Sequence, residues 1–168
     1  MVRKYRFSAL LLSLLLLSAA PLFGAAGDLD CSFGNGGWTR TDFGGHNHAH
    51  DVALQSDGKI VVIDGARLIR YTSDGSLDAT FGTNGSVPLG LPGGAFAFVI
   101  AVDASDRIVV MGRIGSQDVI VGRHLAGGGL DPAFGSGGYT TFEFATAGWL
   151  DFPSDMAIDF AGRIVVGG

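Results

Sequence analysis

Leu77-Asp78-Ala79-Thr80-Phe81-Gly82 is the stretch that decides the fold of this chain, because the pattern Leu-Asp-x-x-Phe-Gly occurs two more times. The other copies of this six-residue pattern, called the phrase hereafter, lie at 29–34 and 130–135. A glycine-rich turn follows each copy. A recurrence at about fifty residues indicates a chain built from one small repeated unit. The pattern therefore predicts a tandem array of equivalent structural units.

A second recurring feature is a pair of apolar runs that ends in Ile-Val-Val. The pairs lie at 52–62, 100–110 and 156–166, and Asp57-Gly58 separates the two runs of the first pair. Asp-Gly between apolar runs is a strong hairpin signal, because the turn needs a positive φ that glycine adopts freely. Ile-Val-Val is β-branched and apolar on both faces, which favours an inner strand packed above and below. Each repeat is therefore expected to contain a hairpin with a buried second strand.

Each repeat is predicted to supply four short antiparallel strands. They are one strand after the phrase (Trp38 to Phe43 in the first repeat), two hairpin strands, and one strand before the next phrase, such as 68–71. The 28 glycines and the lack of helical periodicity after the N-terminal segment argue against helices. A repeated four-stranded unit of this length is typical of a β-propeller blade. We therefore expect an all-β chain of tandem four-stranded antiparallel repeats.

The repeats divide the chain into three units after an N-terminal leader. Residues 1–26 are expected to be a cleaved signal peptide, since basic residues precede an apolar run that ends in small residues. An uncleaved membrane anchor is the alternative, but the apolar run is short for a span. The β-repeat region is placed at 27–168, with repeats at about 28–75, 76–128 and 129–168. The third repeat lacks its returning strand, so we expect a truncated repeat and an incomplete propeller-like array.

Charge and cysteine content narrow the classes of partner. Without the leader, the chain has 16 acidic side chains and half as many basic ones. This excess of negative charge argues against nucleic acid and anionic membranes as partners. Cys31 is the only cysteine, so no intramolecular disulfide can form. We expect a secreted, periplasmic or cell-envelope protein with no membrane span in its mature chain. Its partner is expected to be a protein or another envelope component.

The residues of the phrase are interpreted as structural anchors. The phrase is expected to connect one blade to the next, with its phenylalanine filling the gap between neighbouring sheets. Its aspartate is expected to accept backbone N–H bonds in the tight turn that follows. The anchors are Asp30, Phe33 and Gly34; Asp78, Phe81 and Gly82; and Asp131, Phe134 and Gly135.

These repeated residues resemble the delta-60 repeat family. The resemblance is carried by Ser-Asp-Gly-Lys-Ile-Val-Val at 56–62 and by the stretch Arg-Tyr-Thr-Ser-Asp-Gly-Ser-Leu-Asp-Ala-Thr-Phe-Gly-Thr-Asn-Gly at 70–85. It implies a propeller-like, exported bacterial protein, often a large envelope or adhesin-like one. The family supplies no catalytic residues, so the resemblance implies a scaffold or interaction module.

Three histidines, His46, His48 and His50, form the one unusual cluster. On a strand they would share one face at spacings of about 6–7 Å, and imidazoles so placed could bind Zn²⁺ or Cu²⁺. The alternative is a solvated loop before the hairpin, since the other repeats carry no histidine there. A metal-dependent propeller hydrolase or lactonase is therefore the alternative to a non-catalytic protein.

Two further pairs of side chains are candidates for ligand binding. Arg70 and Arg123 recur at matched positions and could bind a ligand carboxylate, or each could tie its strand to a neighbouring aspartate such as Asp78. Trp38 and Trp149 are aromatic residues in loops, which suit a small ligand or a glycan.

No catalytic residue and no cofactor are predicted. The Asp-Gly turns lack the spaced acidic residues and distal glutamate of a calcium loop, so Ca²⁺, like Zn²⁺, is only an alternative. An incomplete array exposes edge strands, which predicts self-association.

Overall fold

The computed structural model describes residues 27–44, 48–115, 118–143 and 152–168, and these residues form an all-β structure. The strands are β1 (Asp51–Leu54), β2 (Ile60–Ile63), β3 (Arg67–Tyr71), β4 (Ser86–Pro88), β5 (Phe96–Val102), β6 (Ile108–Ile114), β7 (Asp118–His124), β8 (Tyr139–Phe142), β9 (Asp155–Ile158) and β10 (Ile164–Gly167). A 3₁₀ turn at Pro92–Gly94 is the only helical element in the described ranges. The predicted signal peptide, His46 and Trp149 lie outside these ranges.

Three antiparallel sheets follow one another along the chain. Strands β1–β4 form the first sheet and β5–β8 the second, and in both the strand order equals the chain order. Strands β9 and β10 form a third, two-stranded sheet. The first strands of successive sheets are in contact, β1 with β5 and β5 with β9, and the sheets do not close into a barrel. The prediction of tandem four-stranded sheets in an incomplete propeller-like array is confirmed.

The phrase connects two strands of one sheet, so its predicted place between two sheets is wrong. Residues 77–82 join β3 to β4, and residues 130–135 join β7 to β8. The isolated bridges Tyr71↔Leu77 and His124↔Leu130 hold the start of each phrase to the end of the strand before it. A short connection pinned in this way returns the chain antiparallel to the same strand. Each of the two four-stranded sheets therefore combines three strands of one sequence repeat with the first strand of the next.

The strand predicted from Trp38 to Phe43 is also wrong. In this segment the structure has only an isolated bridge, Gly34↔Trp38. The equivalent segments of the next two repeats, β4 and β8, pair with β3 and β7. No described strand occupies the equivalent place beside 38–43, so its backbone has no ladder to join.

The hairpins repeat with one register in all three sheets. The central pairs are Ala53↔Val61, Ala101↔Val109 and Ala157↔Val165. The turns contain Gly58 with φ of 82°, Asp106 with φ of 59° and Gly162 with φ of 76°. Asp106 therefore takes the left-handed turn position that glycine holds in the other hairpins.

The core lies between the sheets. One apolar cluster joins the first and second sheets around Phe81, and another joins the second and third sheets beside Phe134. The first cluster includes Val61, Ile63, Leu68, Ile100, Ile108 and Val110, and the second includes Val109, Met111, Val119, Val121 and Met156. Strand β6 serves both clusters, because alternate side chains of a strand point to opposite faces.

Candidate functional site

The structure brings the candidate Arg70 together with two anchors of the phrase. Arg70 Nε donates a hydrogen bond to Asp78 Oδ2 at 2.8 Å, and the guanidinium carbon lies 4.3 Å from the centroid of the Phe81 ring. Asp78 Oδ1 accepts the backbone N–H and the hydroxyl of Thr80. The Thr80 hydroxyl, the Thr80 N–H and the charge of Arg70 hold the pKa of Asp78 below its usual value, although burial opposes them. The pair is therefore ionised at neutral pH.

The same unit recurs in the second sheet. Arg123 Nε donates to Asp131 Oδ2 at 2.8 Å, and the guanidinium carbon lies 4.7 Å from the centroid of the Phe134 ring. The hydrogen bond from the backbone N–H of Ala133 is the main cause that lowers the pKa of Asp131, and the hydrogen bond and charge of Arg123 lower this pKa as well. The two candidate arginines thus share one arrangement of cation, carboxylate and ring.

The first copy of the phrase retains the turn part of this unit. Asp30 Oδ1 accepts the backbone N–H and the hydroxyl of Ser32, and these bonds lower the pKa of Asp30. Gly34 N donates to the carbonyl of Asp74 at 2.7 Å, and Phe33 lies against Gly75. The first phrase therefore packs against the β3–β4 connection of the first sheet.

Arg70 also joins the first sheet to the second. Its Nη1 donates to Gln55 Oε1 at 3.3 Å and to the carbonyl of Ala126 at 2.8 Å. Ala126 belongs to the β7–β8 connection, in which a Cβ added at Gly128 would lie only 2.8 Å from the Phe81 ring. A ligand carboxylate would have to displace Asp78 from Arg70 in this buried interface. The geometry of Arg70 therefore fits a structural cross-link better than a ligand site.

Arg123 lies instead in an open groove between the second and third sheets. The groove has a volume of about 330 Å³. Its walls are formed by Val121, Arg123, Phe134 and Phe142 of the second sheet and by Ile164 and Val166 of the third. Arg123 has no hydrogen bond to the third sheet among the described residues. Apolar side chains thus surround Arg123, the charged residue of the groove.

Trp38 lies in a second, more polar groove of about 620 Å³. The groove separates the first phrase from the β3–β4 connection, and Asn35, Arg40 and Asp74 also line it. A partly exposed indole beside amide, guanidinium and carboxylate groups offers both stacking and hydrogen bonding to a sugar. Trp149, the other candidate, lies outside the described residues.

The two described histidines of the predicted metal cluster, His48 and His50, are exposed. His50 packs edge-on against Phe96 with ring centroids 5.2 Å apart, and its backbone N–H donates to the Ile63 carbonyl. Within 27–44, 48–115, 118–143 and 152–168, no group of three or more His, Cys, Asp or Glu side chains is placed to hold a metal ion. His46 is outside these ranges.

Sequence reasoning missed the polar contacts that join the first two sheets at their hairpins. Asp106 accepts the backbone N–H of Ser56 at 2.7 Å through Oδ1 and its hydroxyl through Oδ2. Asp51 Oδ2 accepts the backbone N–H of Ile100 at 2.9 Å. The sequence did carry a signal for the contact between Asp106 and Ser56, because Asp106 occupies a turn position where the other hairpins have glycine.

His124 was also missed as a buried polar group. Its ring is fully buried, with Nδ1 3.0 Å from the Gly128 carbonyl and Nε2 without a hydrogen-bond partner among the described residues. Burial lowers the pKa of His124, against the opposing effect of the Gly128 carbonyl. The sequence offered no signal, because Tyr71 occupies the equivalent place in the first repeat.

The fold and its repeated unit of arginine, aspartate and phenylalanine define a tandem β-sheet repeat protein. The chain matches no family model, and no curated protein matches it. In the described part of the chain, no helix has the length and apolar character needed to cross a membrane.

Proposed function

We propose that this chain is an exported, non-catalytic β-repeat protein of the delta-60 type that acts as a scaffold or interaction module at the cell envelope. The observation that carries the proposal is a difference between the polar and the apolar side chains that recur in the repeat. Its recurring polar side chains are engaged in contacts within and between sheets, whereas recurring apolar side chains are exposed on the outer sheet. Exposed apolar surface on a folded chain is typical of a protein-binding site.

The exposed apolar side chains lie on β1 of the first sheet. Val52 is 57% exposed and Leu54 is 67% exposed. Their equivalents in β5, Ile100 and Val102, pack into the cluster between the first and second sheets. The face that buries these positions in the second sheet is thus open in the first. We propose that a protein or another envelope component binds this exposed face of the first sheet. Self-association of the chain through open sheet edges is the competing proposal.

Export is proposed from the leader at 1–26, and a fusion tests it. The full chain joined to alkaline phosphatase, which is active only after export, is expected to give activity that is lost when the apolar run is interrupted by charges. Activity that is independent of the leader would contradict export.

Retention at the envelope tests the interaction. The exported chain is expected to stay with the envelope fraction after washing, and Leu54→Lys is expected to release it, because a charge cannot be buried unpaired in an apolar contact. Phe160→Lys is the matched control, since Phe160 is fully exposed at the third hairpin. Equal retention of the two variants would contradict the proposed surface.

The groove at Trp38 supports a second candidate function, glycan or small-ligand binding. Stacking of a sugar on Trp38 would be detected as a saturable change in tryptophan fluorescence, absent in Trp38→Ala and present in Phe160→Ala. A glycan array without any bound sugar would count against this function.

A further inference from the structure

Three side chains of the Trp38 groove are not required by the repeat. The second repeat has Ser86, Pro88 and Gly127 in the places of Trp38, Arg40 and Asp74. The first of these places is fixed by a recurring backbone bridge, Gly34↔Trp38 in the first repeat and Gly82↔Ser86 in the second. The second repeat thus keeps the same backbone without an aromatic ring, a cation or a carboxylate there. The three side chains are therefore available for a ligand.

The segment at 34–41, which forms one wall of the groove, is held at both ends by β3 and the connection that follows it. The backbone N–H of Gly34 donates to the Asp74 carbonyl at 2.7 Å. At the other end, the Tyr71 hydroxyl donates to Thr41 Oγ1 at 2.9 Å. The two walls are thus fixed relative to each other before a ligand binds, which lowers the entropic cost of binding.

Arg40 differs from the arginines of the three sheets in its contacts. Each of five others lies 2.7–3.0 Å from an aspartate carboxylate: Arg67, Arg70, Arg107, Arg123 and Arg163. Arg40 is exposed, and its side chain has neither a hydrogen bond nor an ion pair with any described residue. Its guanidinium donors therefore remain available to a carboxylate from outside the chain.

Asp74, on the opposite wall, is already engaged by its own turn. Its Oδ1 accepts the hydroxyl of Thr72 and the backbone N–H of Ser76. The Thr72 hydroxyl, followed by the N–H and hydroxyl of Ser76, lowers the pKa of Asp74, so the group is a carboxylate at neutral pH. It forms no ion pair with Arg40 across the groove. Asp74 is thus an acceptor for ligand hydroxyl groups and leaves Arg40 unpaired.

We propose that the Trp38 groove binds an acidic saccharide, with the carboxylate of a uronic acid on Arg40 and the apolar face of a pyranose ring on Trp38. This inference rests on the glycan-binding function proposed above as the second candidate, and it names the class of sugar. The guanidinium matches the two oxygens of a carboxylate, and the indole offers a flat apolar surface. Sugar hydroxyl groups donate to Asp74.

The size of the site fits a short oligosaccharide. The groove of about 620 Å³ lies within the range of small-ligand sites. Arg40 also borders a neighbouring cavity of about 210 Å³ on the first sheet, so there is room for further sugar units beyond the one on Trp38. The negative charge of the chain opposes anions at long range, so selectivity for an acidic sugar depends on direct contact with Arg40.

Trimers of galacturonic, mannuronic and guluronic acid are the probes, and their full methyl esters are the matched controls. At least one acidic trimer is expected to bind saturably to the full chain at one site, measured by calorimetry. Its ester is expected to bind at least about tenfold more weakly, because esterification removes the charge and keeps the rings and hydroxyl groups. Acetate at the same carboxylate concentration is expected not to displace the trimer, since it has no ring to stack on Trp38.

Three variants of the chain complete the test. Arg40→Gln is expected to weaken binding of the acidic trimer at least about tenfold and to change binding of the ester less than about twofold. Arg163→Gln is the matched control, because Arg163 is an exposed arginine that pairs with Asp159 outside the groove, and its affinities are expected to stay unchanged. Trp38→Ala is expected to weaken binding of the acid and of the ester. Thermal unfolding of Arg40→Gln is expected to match that of the unmodified chain, since Arg40 has no partner to lose among the described residues.

Equal binding of acid and ester, equal binding by Arg40→Gln and the unmodified chain, or displacement by acetate would overturn the inference. Binding of the esters that depends on Trp38 would, in those cases, leave neutral-glycan binding standing. No binding of any trimer, together with an empty glycan array, would reject the inference and the glycan-binding candidate alike. Envelope retention through Leu54 is measured separately, so its loss or survival tests the scaffold function independently of every sugar result.

Discussion

Arg70 and Asp78 form an ion pair that lies within one sheet but is held in place by the next. Their Nε and Oδ2 atoms are 2.8 Å apart, and both side chains are less than a tenth exposed. The same guanidinium donates to the Ala126 carbonyl of the second sheet and stacks on Phe81. The packing of the first sheet against the second and the conformation of the phrase at 77–82 therefore depend on one another.

Replacing Arg70 with methionine is expected to lower the free energy of unfolding by about 3 kcal/mol, because Asp78 would lose its buried cationic partner. Urea unfolding measures this loss. Arg123→Met is the matched control, and its loss is expected to be smaller, since Arg123 is more exposed and binds no neighbouring sheet in the described residues. Equal losses would show that the contact of Arg70 with the second sheet contributes nothing to the free energy of unfolding.

Truncation of the two phrase phenylalanines is expected to have unequal effects. Phe81→Ala should cost about 4 kcal/mol, because the ring is fully buried between two sheets and leaves a cavity. Phe134→Ala should cost clearly less, since Phe134 borders the open groove and is only partly buried. The midpoints of urea unfolding measure both losses. A greater loss for Phe134→Ala would contradict the assignment of the closed and open interfaces.

The contrast between these residues shows what the repeat pattern could predict. Phe81 and Phe134 are equivalent in sequence, so the pattern predicts the strands and the hairpin turns equally well in both repeats. Their burial differs because it depends on the neighbouring sheet, which no local pattern encodes. For the same reason, the sequence did not predict the bonds from Arg70 to Ala126 and from Asp106 to Ser56.

The position of the phrase was mispredicted for a related reason. Periodicity gives the order of the strands, but any point in a repeat can serve as its boundary. The bridge Tyr71↔Leu77 ties the phrase to the end of β3, and this pairing places β4 in the first sheet. Only the register of the strands could show that a sheet borrows its fourth strand from the next repeat.

Buried His124 is expected to make the fold sensitive to mild acid. Burial lowers the pKa of folded His124 below 6.5, so the unfolded chain binds the proton first. Its contribution to stability is complete above about pH 6.5 and is lost as pH falls from there towards the folded pKa. His124→Gln is expected to abolish this loss just below pH 6.5, measured by thermal unfolding.

Aspartates whose folded pKa values are lowered, such as Asp78, lose their contribution in a separate and more acidic range, below about pH 4. A stability curve for the unmodified chain that is flat between about pH 6.5 and pH 4 would contradict the role of His124.

The contact between Asp106 and Ser56 is expected to couple the first two hairpins. Asp106→Gly keeps the positive φ of the turn but removes both bonds to Ser56, and should cost about 1–2 kcal/mol. A double-mutant cycle with Ser56→Ala, read by urea unfolding, is expected to show a coupling of about 1 kcal/mol. Strictly additive losses would mean that the two side chains do not interact in solution.

Amide hydrogen exchange tests the central claim, that equivalent strands are closed in the second sheet and open in the third. The N–H groups of Ile108 and Val110 point to β7, and those of Ile164 and Val166 point away from β9, the one strand of the described residues that pairs with β10. The account predicts strong protection at Ile108 and Val110 and at least about a hundredfold faster exchange at Ile164 and Val166. Equal protection at all four positions would contradict it, because β10 would then already be paired.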